Sequence, residues 1–103
     1  MESFHNKETD QLFDVISKLK TKKECYEFFE DVCTIKEILD MSKRLEAAKL
    51  LSLGENYQNI ISKIGLSTAT LSRVSRSLHY GTGGYKKVLK NILNNGGNKN
   101  ENQ

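Results

Sequence analysis

The chain has no proline, no tryptophan and only 2 cysteines in 103 residues. Without proline, helices end only where glycine or a capping residue ends them. The alternating Val/Ile/Thr/Tyr segments of a half-buried sheet are also missing, which argues against a sandwich or barrel. Cys25 and Cys33 have neither the CxxC spacing of a redox pair nor a zinc-ligand pattern, so both read as reduced, small packing residues. No apolar run reaches the ~18–20 residues of a membrane span, and no signal peptide opens the chain. A cytoplasmic protein with no membrane partner is expected. Hydrophobic residues are 37%, below the usual ~45–50%. A chain this short buries a modest core and gains from sharing one with a second copy.

Acid is scarce in one half. Residues 1–56 hold 9 Lys/Arg against 12 Asp/Glu, whereas residues 57–103 hold 7 Lys/Arg against a single Glu. The acidic half suits assembly, and the basic half suits an anionic partner.

What is present is helical periodicity. Leu12, Phe13, Ile16 and Leu19 share one face, predicting a helix over 12–20 after a frayed start. "TKKE" at 21–24 and "TIKE" at 34–37 read as capping boxes, in which a threonine caps free N–H groups and a glutamate reaches back. They open helices over 22–33 and 35–53. The first carries Tyr26, Phe28, Phe29 and Val32; the second turns Ile38, Leu39, Met41, Leu45, Ala48 and Leu51 inward and ends at Gly54. Helices over 57–64, 68–80 and 85–93 follow. The expected organisation is a single helical domain over 1–95 and a disordered polar tail, 96–103.

The stretch "YQNIISKIGLSTATLSRVSR" reads as a helix-turn-helix, about 57–80. Ile60, Ile61 and Ile64 face inward from its first helix, Leu66 plugs the turn, and Leu71 and Val74 face inward from the second. Gly65 suits the positive φ of the turn, and Ser67 is a good N-cap. The outer face then carries Thr68, Ala69, Ser72, Arg73 and Arg76, with Thr70 at its edge. Short hydroxyls and methyls let a backbone approach base edges in the major groove, and arginine pairs with guanine or phosphate. Lys63, Arg76, His79, Lys86, Lys87 and Lys90 are candidate phosphate contacts, which position a protein without reading sequence.

The long third helix ending in "LSLGE", the helix-turn-helix and "TATLSRVSRSL" together resemble the Trp repressor family, and within it the Trp-repressor-like proteins of the YerC/YecD type. The resemblance covers roughly 10–93. It implies an all-α, six-helix fold, two chains interlaced into one core, and a sequence-specific DNA-binding regulator acting as a repressor on a palindromic operator. It also implies an amino-acid-like corepressor site. Arg44 and Arg73 match the two arginines that sandwich the indole of L-tryptophan, and Thr34 and Ser77 match positions lining that pocket. Val74 departs from the pattern, standing where the classical protein has glycine. Added bulk in a packed site costs ~1–3 kcal/mol, which weakens tryptophan binding by about one to two decades. Each of these residues also has a local explanation. Thr34 serves as an N-cap, Arg44 as a partner of Asp40 or Glu37, Arg73 as a phosphate contact and Ser77 as a neutral surface group.

Two other function classes make different demands on the sequence. A helical module binding a protein partner would expose more Leu, Met or aromatic surface in the basic half. An enzyme would need a nucleophile motif, a phosphate loop or a metal cluster, and His5 and His79 have no such company in sequence. The expectation is therefore a non-enzymatic, double-stranded-DNA-binding homodimer.

Overall fold

The computed structural model describes the backbone of residues 3–102 and the side chains of residues 3–94. Six helices follow one another: α1 (Lys7–Ser17), α2 (Lys22–Val32), α3 (Ile35–Ser52), α4 (Tyr57–Ile64), α5 (Thr68–Tyr80) and α6 (Gly84–Asn102). There is no strand among the described residues. No helix is long and apolar enough to cross a membrane among them either.

Local chemistry explains most of the helix ends. Thr21 Oγ1 accepts the Glu24 N–H at 3.1 Å, while the Glu24 carboxylate reaches past the cap to the Lys20 N–H at 2.8 Å. Thr34 and Glu37 close a reciprocal box, with bonds of 3.1 and 2.8 Å. The first helix begins earlier than its apolar spacing predicts. Asn6 Oδ1 accepts the Thr9 N–H and Thr9 Oγ1 accepts the Asn6 N–H, both at 2.8 Å. This box has threonine in place of the usual Glu/Gln and fixes the start at Lys7. The last helix also runs further than expected. Its backbone stays helical to Asn102, across most of the expected disordered tail 96–103, and Gln103 lies outside the described residues. Without proline, extending a formed helix costs a polar residue only tenths of a kcal/mol and a glycine about 1.

The chain divides into two compact units, one ending at Ile38 and the other beginning at Leu39. The physical reason is the burial in α1 and α2, neither of which contains a buried residue. Phe13, Tyr26 and Val32 are more than half exposed, and Phe28 and Phe29 meet edge to face at 5.5 Å. The second unit holds a true core of Ala47, Ala48, Ile60, Leu71, Val74, Leu78 and Leu89. Leu50, Leu51, Ile61, Ile64, Leu66 and Tyr85 pack around it. Leu39, Met41 and Leu45, expected to face inward, are exposed. Helix α3 has apolar residues on more than one side, and its unit covers only the side of Ala47 and Ala48.

Candidate nucleic-acid interface

Two short helices and a three-residue turn build the candidate surface. Asn56 caps α4 by accepting the Asn59 N–H at 2.8 Å. Gly65 ends α4 at φ 81°, ψ 42°, and its N–H donates to the Ile61 carbonyl at 2.8 Å. That left-handed conformation suits glycine, which lacks a Cβ to clash. Ser67 then caps α5, its Oγ accepting the Thr70 N–H at 3.1 Å and donating to Thr70 Oγ1 at 3.0 Å. Leu71, Val74 and Leu78 lock the core side of α5, which packs against α4 and α6. At Gly81, a Cβ would collide with the Ser77 carbonyl oxygen. A glycine is therefore required where α5 stops.

With that side buried, the opposite side is presented. Thr68, Ala69, Arg73 and Arg76 are exposed, Ser72 is half-buried, and Tyr80 is 86% exposed at the far end. Thr70 is half-buried, and its hydroxyl is held by Ser67. These two residues build the start of the helix as well as bordering its outer face. His79 Nδ1 donates to the Ser75 carbonyl at 2.8 Å. Lys86, Lys87 and Lys90 are exposed on α6.

Lys63, another candidate phosphate contact, has an acidic neighbour. Its ammonium lies 3.4 Å from Glu55 Oε1, an atom screened from water and without a hydrogen bond. Much of the Lys63 charge offsets that carboxylate. Sequence reasoning passed over Glu55. The available signal was its isolation, since the next carboxylate in the chain is Glu101.

The four candidate ligand residues divide. Arg44 on α3 and Arg73 on α5 border one cavity of about 430 Å³, together with Ala69 and Thr70. Neither arginine has a carboxylate partner among the described residues. Ser77 instead borders a second cavity of about 630 Å³, with Leu45, Thr82, Tyr85 and Val88. Thr34 belongs to the other unit, where it caps α3. Val74 is 2% exposed within the core and does not border the arginine cavity.

Comparison with known proteins places this geometry among relatives. The family model described as Trp repressor protein matches residues 7–93. The uncharacterized protein YerC of Bacillus subtilis is 46% identical over 92 residues, spanning 89% of this chain and 88% of its own length. A solved structure of a candidate Trp repressor from Staphylococcus aureus superposes with a TM-score of 0.82 at 43% identity, covering 86% of this chain and 89% of that one. A TrpR-like protein from Eubacterium eligens does so with a TM-score of 0.82 at 50% identity, covering 84% and 90%.

Proposed function

We propose that this chain, which belongs to the Trp repressor family, is a sequence-specific transcriptional repressor that binds a palindromic operator as a homodimer. The family is one of DNA-binding regulators rather than enzymes. The observation that carries the reading is the two-sided character of α5. Leu71, Val74 and Leu78 are buried on one side, while small groups and two arginines stand exposed on the other. Buried residues fix the helix, so its outer face enters a groove as a rigid body. Lys86, Lys87 and Lys90 supply backbone contacts beside it.

Dimerisation is supported by the N-terminal unit, whose helices bury nothing within one chain. A second copy covering Phe13, Tyr26 and Val32 provides the missing core. Two reading helices related by a two-fold axis then meet half-sites about one helical turn apart. The site of action is the cytoplasm, where the operator lies.

The Arg44–Arg73 cavity favours one addition to this reading, an amino-acid-like effector bound through its carboxylate. Two guanidinium groups with no acidic partner suit such an anion. The hydroxyl of Ser77 does not border that cavity, and Val74 is buried in the core. The positions therefore match L-tryptophan only in part. Selection of duplexes from a random pool, with and without L-tryptophan, tests both elements. A palindrome enriched in both conditions supports an effector-independent repressor, and one enriched only with tryptophan supports the corepressor. No enrichment in either condition refutes sequence-specific binding and moves a protein-partner module to the front.

A further inference from the structure

We infer that α5 reads its half-site through guanine and thymine, with Arg76 pairing to a guanine and Ala69 packing on a thymine methyl. This rests on the DNA-binding reading above. Between Thr68 and Tyr80 the helix has no Asn, Gln, Asp or Glu. Bidentate recognition of adenine needs an amide, and recognition of the cytosine amino group needs a carboxylate. Neither group is available on this helix.

The hydroxyls narrow the code further. Thr70 Oγ1 and Ser67 Oγ bond to each other, and Ser67 also holds the Thr70 N–H. Ser75 lies beside the His79 ring, its hydroxyl 3.4 Å from Nδ1. Ser77 borders the cavity with Leu45 and Tyr85. Thr68, Ser72 and Tyr80 remain, and a hydroxyl donates or accepts equally well and so discriminates bases weakly.

Helical geometry selects the two readers. At 3.6 residues per turn, Ala69, Arg73, Arg76 and Tyr80 lie opposite Leu71, Val74 and Leu78. Arg73 borders the cavity shared with Arg44. Arg76 is exposed and has no carboxylate partner among the described residues. Its guanidinium is free to make the paired donor contact to guanine O6 and N7. Ala69 places a bare methyl near the start of the helix, where apolar contact with a thymine methyl requires no donor or acceptor. The two are about 10 Å apart along the helix axis.

The test takes the duplex selected by the full chain and changes single atoms of its bases. Replacing each guanine in turn by 7-deazaguanine removes N7, and replacing thymine by uracil removes the methyl. One deaza position should weaken wild-type binding roughly ten-fold. The Arg76→Ala variant should bind the unmodified duplex more weakly and show no further loss at that position. One uracil position in the same half-site should behave likewise toward Ala69→Gly. Arg76 and Ala69 are exposed, and circular dichroism checks that both variants remain helical. If a duplex is selected but no deaza position matters, or the same loss persists in Arg76→Ala, the assignment is overturned while DNA binding stands. If no duplex is selected, the DNA-binding reading falls and the assignment with it.

Discussion

Leu71 is the side chain on which the reading surface depends. It is fully buried, as Ile60 is among the described residues, and Val74 and Leu89 are nearly so. Leu71→Ala removes three carbons from a core of few large residues. Substitutions of this kind cost about 2–5 kcal/mol, the upper part of the range applying where the surroundings cannot collapse. Here the neighbours are helices pinned by Gly65 and the Ser67 cap, so about 3 kcal/mol is expected. A chain of this size, at roughly 0.05–0.15 kcal/mol per residue, holds on the order of 5–15 kcal/mol in total. The variant should therefore fold with a clearly reduced margin. Urea titration followed by circular dichroism, with a slope of about 1 kcal/mol per molar, should move the midpoint by roughly 2–3 M. DNA affinity should fall with it, because the outward face is then held less rigidly. A change below about 1 kcal/mol would refute the claim that this core side positions α5, and would transfer that role to contacts outside the single chain.

Gly65→Ala should cost about 1 kcal/mol from the left-handed backbone alone, since an added Cβ meets nothing within 4 Å; a loss of several kcal/mol in the same urea titration would indicate a steric role. Lys63→Met should destabilise by about 1 kcal/mol, limited by the exposure of the lysine, because Glu55 Oε1 loses its counter-charge. The salt dependence of DNA binding should stay unchanged in that variant, and a slope lower by about 1 would make Lys63 a phosphate contact after all. The double variant Lys86→Ala, Lys87→Ala should lower the magnitude of the log–log salt slope by about 2 without changing the selected sequence. An altered consensus would mean that α6 reads bases.

Helix starts and stops were largely legible because they are decided within four residues of chain. The Thr34–Glu37 box, the Ser67 cap and Gly65 are local devices, and α4 and α5 run over the residues their spacing predicts. The opposition of Leu71 and Val74 to Arg73 and Arg76 was legible for the same reason, since helical periodicity assigns sides without knowledge of neighbours. The start of α1 was not read, because its box uses Thr9 in place of the usual Glu or Gln.

What only the tertiary structure decided concerns groups far apart in sequence. Whether Arg44 meets Arg73 depends on how α3 packs beside α5, and the two arginines do share a cavity. Ser77 lies on the same helix as Arg73, yet it borders a different cavity. Lys63 appeared free for phosphate until the fold brought Glu55 to it. Helical spacing puts the apolar residues Leu39, Met41 and Leu45 inward, but one chain leaves them exposed. Periodicity says which residues share a side; only packing says whether anything covers that side, because burial is a property of the neighbours rather than of the helix.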